Sequence, residues 1–238
     1  MAAKPQPVAP LMPRPPFLAA CTALALLCAL PATAPAACAD LPPSTLKVVR
    51  VEREHKLNFS YGHRTLRNLG DDHQRRDIAV LGLARGVATA KAKVSGKIFP
   101  AGDRRHECAS FAIEVEYGFD PVTVYVGREF PPGTCGHDEI YRHELRHVEV
   151  YRAQARAIEA EITQALQQRF ARETPWYAPA GTSVGQLRQE LDQRWMPYIV
   201  RLLDQSKAAQ RAIDSPEEYA RIEQSCAGEI RRVIDASR

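Results

Sequence analysis

The stretch Asp138-Glu139-Ile140-Tyr141-Arg142-His143-Glu144-Leu145-Arg146-His147-Val148 opens the longest helical pattern in the chain, and everything else must pack around it. Residues four apart share one face of a helix, so His143 and His147 present their imidazoles side by side. Ile140, Tyr151, Ala155, Ile158, Ile162, Leu166 and Phe170 recur at steps of three and four on that stripe, which turns both histidines inward. Glu144 sits one step round from them. H-E-x-x-H on a helix supplies two corners of a tetrahedral Zn2+ site and a carboxylate that can take a proton from a water in the open position. Zinc lowers the pKa of such a water to about 7, which makes a hydroxide nucleophile available at neutral pH. The alternative is a buried, hydrogen-bonded histidine pair with no metal.

With Asp138 as N-cap, no Gly or Pro interrupts this helix before Pro175. A turn follows at Pro175-Trp176-Tyr177-Ala178-Pro179-Ala180-Gly181. A second helix then carries Leu187, Leu191, Trp195, Tyr198 and Leu202 on its inner face, with a kink expected at Pro197. Ser215-Pro216-Glu217-Glu218 reads as a helix start with a capping box, and Tyr219, Ile222, Cys226, Ile230 and Val233 form the buried stripe behind it.

Upstream, the period changes to two. The segments 46–51 and 56–61 read as short strands, 65–69 as a turn or two of helix, and 71–77 as a charged loop. His55, His63 and His73 in this region read as solvated histidines and not as ligands. Strand 87–99 alternates Ala88, Ala90, Ala92 and Val94 with Thr89, Lys91 and Lys93. Phe111, Ile113, Val115 and Tyr117 alternate with Glu114 and Glu116, and Val122, Val124 and Val126 follow a Gly118-Phe119-Asp120-Pro121 turn. These last two runs predict a hairpin in a half-buried antiparallel sheet, with Glu114 and Glu116 on its solvated face. The expected fold class is α+β, an N-terminal antiparallel β-rich layer (37–134) packed on C-terminal long helices (135–238). Together, 37–238 are expected to make one compact domain.

Residues 1–36 read as a signal peptide, with an apolar core at 17–30 that is too short to span a membrane and is ended by Pro31. Small-x-small cleavage sites end at Ala36 and Ala39, and the chain is expected to be periplasmic or secreted. Cleavage after Ala36 leaves Cys38, Cys108, Cys135 and Cys226, an even set in an oxidising compartment. Sequence leaves three pairings open, and Cys108–Cys135 with Cys38–Cys226 suits the expected hairpin and helices. The formal charge of +4 falls to +2 once Lys4 and Arg14 leave with the leader. No dense basic patch with interleaved aromatics is present, which argues against a nucleic-acid partner. No second apolar run is long enough to cross a membrane. About 200 residues remain, enough to bury a real core.

The chain resembles an uncharacterised bacterial family described as secreted zinc-dependent proteases, zincin-like in carrying H-E-x-x-H. The resemblance rests on His143-Glu144-Leu145-Arg146-His147-Val148 with Tyr151-Arg152 and Ala157-Ile158-Glu159. It extends weakly to Tyr61-Gly62-His63-Arg64-Thr65-Leu66 and to the strands before Pro131. It implies that His143 and His147 are zinc ligands and Glu144 the catalytic base. The longer metzincin signature needs Gly at 150 and His at 153, where this chain has Val150 and Ala153. Glu159 and Glu161 continue the same helix, Glu159 about 18 Å along it from His147, and cannot join the site.

Helix geometry supplies the candidate third ligand. From His143 the first helix runs about 27 residues, roughly 40 Å, and an antiparallel return from about residue 184 regains that level near residue 211. Glu190 and Asp192 then lie at the wrong end, Asp204 projects away from the inner stripe, and Glu218 is taken up by its capping box. Asp214, just before the Ser215 cap, has the right height. Its alternative role is that of an ordinary turn aspartate. Two functions follow: a zinc metallopeptidase acting on a peptide or protein substrate, or a non-enzymatic periplasmic binding or structural protein.

Overall fold

A computed structural model describes residues 38, 40–70 and 79–236. The leader 1–36, its cleavage boundary and the 71–77 loop with His73 lie outside the described residues.

The spine is β4 (His106–Val126), a 21-residue strand. Along one edge it pairs antiparallel with β3 (Gly82–Pro100), from Gly82↔Val126 to Pro100↔Glu107. Along the other edge, β5 (Trp176–Pro179), β1 (Thr45–Val51) and β2 (Lys56–Asn58) follow one another. β1 and β2 run parallel to β4, and β5 runs antiparallel to it. Strands in the N-terminal half and helices after them agree with α+β, but the expectation of an antiparallel layer is corrected. Alternation of apolar and polar residues reports the pleat and says nothing of a neighbour's direction. β1 and β2 reach the far edge of β4 only after the chain has passed through α1 (His63–Leu69) and β3, a crossover long enough for parallel pairing.

The expected hairpin at Gly118-Phe119-Asp120-Pro121 is a stretch of continuous strand. Its Asp120–Pro121 peptide is cis, and Gly118 takes φ +146°, where a Cβ would stand 2.7 Å from the Val51 carbonyl. The glycine thus serves a close approach to β1 and not a chain reversal. The true hairpin joins β3 to β4 through residues 101–105.

One face of β4 is buried. Phe111, Ile113, Val115, Tyr117 and Phe119 pack against Ile158, Ile162, Leu166 and Phe170, and against Leu187, Leu191, Ile199 and Leu203. The other face carries Glu114 and Glu116, paired with Lys47 and Lys93 at 2.5–3.3 Å, as a solvated face requires. Glu107, on the helix side, accepts from the backbone N–H groups of Gly181 (2.6 Å) and Ser183 (2.8 Å), tying β4 to the start of α4 (Ser183–Glu190).

The metal-motif helix α2 (Cys135–Ala157) starts three residues before the expected cap. Thr134 Oγ1, not Asp138, accepts from the His137 N–H at 3.2 Å. It is offset from α3 (Glu159–Phe170) at Ile158. The return path is α4, a π turn (Leu191–Trp195) just before the expected Pro197 kink, α5 (Met196–Asp204) and α6 (Ser206–Ile213). Then come α7 (Pro216–Gln224), a 3-10 turn (Cys226–Gly228) and α8 (Glu229–Ala236).

The disulfides are Cys38–Cys108 and Cys135–Cys226, with Cα–Cα distances of 5.6 and 5.7 Å. The expected pairing is corrected. With 106–126 as one strand, Cys108 lies roughly 60 Å along the chain from the end of β4 that leads to Cys135, at about 3.3 Å per residue. Among the described residues no helix is long and apolar enough to cross a membrane.

Candidate metal centre

Three donors converge where α2 meets the end of α6. His143 Nε2 and His147 Nε2 are 3.3 Å apart, one helical turn from each other. Asp214, the residue that ends α6, places Oδ1 3.1 Å from His143 Nε2 and 3.2 Å from His147 Nε2. The three could hold a metal ion. Ligand bonds of about 2.0–2.1 Å at tetrahedral angles imply ligand–ligand edges of about 3.3–3.4 Å. The observed triangle fits such a site to within about 0.3 Å on every edge.

The donor chemistry fits as well. His143 Nδ1 faces Glu218 Oε1 at 3.2 Å, and His147 Nδ1 faces Gln210 Oε1 at 2.6 Å. Each outer nitrogen has an acceptor, so each neutral imidazole carries its hydrogen there and turns the Nε2 lone pair inward. Two nitrogen lone pairs and a carboxylate oxygen then point at one another, an arrangement that only a cation or added protons can satisfy. The titration shifts of the metal-free chain express the same need. Burial disfavours the charged imidazoles, yet Asp214 and Glu144 outweigh it, so His143 and His147 are raised. Burial would raise Asp214, but the two imidazoles hold it well below the usual carboxylate range.

Glu144 stands beside this group and is 4 % exposed. Burial pushes its carboxyl up to about 7 against the pull of His147 and His143. The Ala84 backbone N–H donates to it, and the Tyr151 hydroxyl donates to the Ala84 carbonyl at 3.4 Å. Small residues on β3 permit this contact. A Cβ on Gly82 would lie 2.5 Å from Glu144 Oε1, and one on Gly86 would lie 3.0 Å from the Tyr151 ring. Ala84 therefore turns both backbone groups away from β4 and toward α2. By the two-residue alternation of a strand, Gly82 and Gly86 turn theirs the same way, before the bulge between Gly86 and Ala88. Among the described residues β3 has no partner on that edge. A cleft of about 580 Å³ runs along it, lined by His143, Glu144, His147 and Tyr151 of α2 and also by Val200 and Tyr219.

Other candidates fall elsewhere. Glu159 pairs with Arg50 and Glu190 with Arg169 at 2.6 Å, while Asp204 lines the cleft outside the donor group and pairs with Lys207 at 3.4 Å. Glu218 corrects its expected role. Its N–H is capped by Ser215 Oγ at 3.2 Å, but its carboxylate turns to His143, to Arg146 at 2.6 Å and to Arg221 at 3.0 Å. Arg221 foremost, with burial opposing, holds Glu218 down to about 2. His55 and His63 are half-buried, neither freely solvated nor part of the donor group, and each meets a neighbouring side chain. His55 Nε2 is 3.0 Å from the Tyr141 hydroxyl, and His63 Nδ1 is 3.1 Å from Glu129 at the start of α1. The sequence reading missed Gln210 and Gly82. Gln210 is one turn before Asp214, and that i, i+4 relation was the available signal.

No protein-family model, curated protein or solved structure matches the chain.

Proposed function

We propose that this chain is a zinc-dependent metallopeptidase of the zincin type, working in the periplasm or outside the cell. The observation that carries the proposal is Glu144, buried against a group of two histidines and one aspartate, beside the open edge of β3. Zinc held by His143, His147 and Asp214 would supply a water of pKa about 7 and polarise the scissile carbonyl. Glu144 would accept the water's proton at its carboxylate and pass it to the leaving amine. The outward backbone groups of Gly82 and Gly86 offer an extended peptide a strand to pair with, next to that carboxylate. Both disulfides agree with an oxidising compartment.

A structural metal site is normally closed by four protein ligands, whereas catalytic zinc keeps a position open. The group here numbers three among the described residues, which favours an enzyme over a non-enzymatic binding protein. The test is zinc analysis of untagged wild type beside Glu144→Gln, with cleavage of an unfolded protein substrate as the second readout. Both proteins should carry one zinc, and the variant should lose about 10²–10⁴-fold in rate. Full activity in Glu144→Gln would sink the mechanism.

A further inference from the structure

Asp214, Gln210 and Glu218 all belong to the C-terminal segment 206–236, while both histidines belong to α2. The centre is thus divided between two pieces of chain and exists only while the segment is closed on the helix. Besides the two Gln210 contacts to His147 (2.6 and 3.1 Å), its noncovalent attachments are one apolar cluster and ion pairs open to solvent. Ile222, Ile230 and Ile234 pack on Val126, Phe130 and Ile140. The ion pairs Arg146–Glu218 and Arg221–Glu139 use arginines that are about half exposed, and solvent weakens such pairs. The covalent attachment is Cys135–Cys226, from the first residue of α2 to the turn after α7.

That turn is unusual. Cys226, Ala227 and Gly228 have φ of +57°, +51° and +76°, three successive residues in the left-handed region. Cys and Ala seldom keep such φ values unless their surroundings hold them there. Local hydrogen bonds, Gly228 N–H to the Ser225 carbonyl and Arg232 to the Ala227 carbonyl (both 3.0 Å), close the turn, and the bond from Cys226 to Cys135 ties it to α2.

We propose that Cys135–Cys226 is a redox lock on the metal centre: oxidised, it holds Asp214, Gln210 and Glu218 on the histidine helix, and reduced, it lets the segment open and the metal site fall apart. The proposal rests on the metal reading of the site and not on peptidase activity. In closing the lock, the Cys135 and Cys226 thiols give up two protons and two electrons to a disulfide-bearing oxidant, which leaves as a dithiol. A dithiol reductant reverses the step. A chain held in a reducing compartment therefore lacks a complete site and gains one on oxidation.

The test measures zinc affinity by competition with a chromophoric chelator. It compares oxidised wild type, wild type in a non-chelating phosphine reductant, Cys135→Ser/Cys226→Ser and Cys38→Ser/Cys108→Ser. Reduced wild type and the 135/226 variant should bind zinc at least tenfold more weakly. The 38/108 variant should match oxidised wild type, because its bridge ties the far end of β4. Hydrogen exchange on the reduced 38/108 variant guards against simple misfolding of the 135/226 variant. Protection should fall in 206–236 and persist in β3 and β4. Unchanged zinc affinity in the 135/226 variant, or protection lost equally across the sheet, would overturn the lock alone. An oxidised wild type that takes up no zinc would overturn the metal reading and the lock with it.

Discussion

Gln210 grips His147 at both ends: its Oε1 lies 2.6 Å from His147 Nδ1, and its Nε2 donates to the His147 carbonyl at 3.1 Å. The amide therefore fixes both the ring tautomer and the height of α6 against α2, which in turn sets where Asp214 stands. Removing a partner of this kind typically costs about 10–100-fold in metal affinity. Gln210→Ala should show a loss of that size in zinc competition. Gln210→Glu, which keeps the acceptor, should lie closer to wild type. Equal affinities for Gln210→Ala and wild type would mean that His147 is oriented by other contacts.

Asp214 and His143 can be separated from Glu144 by what is lost. His143→Ala and Asp214→Ala each remove a convergent donor, so both should lose zinc and, with it, all hydrolysis. Metal analysis after dialysis reads the first effect directly. A protein lacking the Asp214 carboxylate that still held zinc as tightly as wild type would return Asp214 to the status of a turn residue.

Glu107 gives a prediction about stability and pH. The backbone N–H groups of Ser183 and Gly181, at 2.8 and 2.6 Å, hold its carboxyl below the ordinary value of 4.5. A carboxyl lowered on folding stabilises the fold above its unfolded pKa, and that contribution is lost as pH falls through the folded one. Glu107→Gln should cost about 1.5–3 kcal/mol at neutral pH, the usual loss for hydrogen bonds to a charged group. The gap from wild type should narrow below about pH 4 in denaturant titrations. A gap constant from pH 7 to pH 3 would contradict this account.

The helical half was largely legible because its period carries direction as well as burial. His143 and His147 on an apolar stripe had to face inward, and rise per residue placed Asp214 at their height even though the return path is broken into α4, a π turn, α5 and α6. The sheet was less legible. Alternation could not tell that β1 runs parallel to β4. Gly118 and Pro121 carry strong turn signals, yet they lie within a strand because β1 approaches there. The wrong hairpin then produced the wrong disulfides. The first residues of β3 were also missed: Gly82, Ala84 and Gly86 have little strand propensity, and they are there to admit Glu144 and Tyr151.

Gly82 joins fold and chemistry at one atom that is absent. A Cβ there would meet Glu144 Oε1 at 2.5 Å, Ile140 Cγ2 at 2.7 Å and Glu144 Cγ at 2.8 Å. Glu144 cannot retreat easily, since it is packed beneath β3 and held by the Ala84 N–H. Overpacking of this kind costs about 1–3 kcal/mol, and Gly82→Ala should lose stability in that range. It should also lose hydrolytic rate, because the carboxylate is the group displaced. Zinc affinity should stay near that of wild type, since none of the convergent donors is among the close neighbours of that Cβ. Gly185 is the control: it lies within α4 with nothing inside 4 Å of a Cβ, so Gly185→Ala should gain up to about 1 kcal/mol and leave activity unchanged. A Gly82→Ala protein as active and stable as wild type would show that Glu144 is not held against β3.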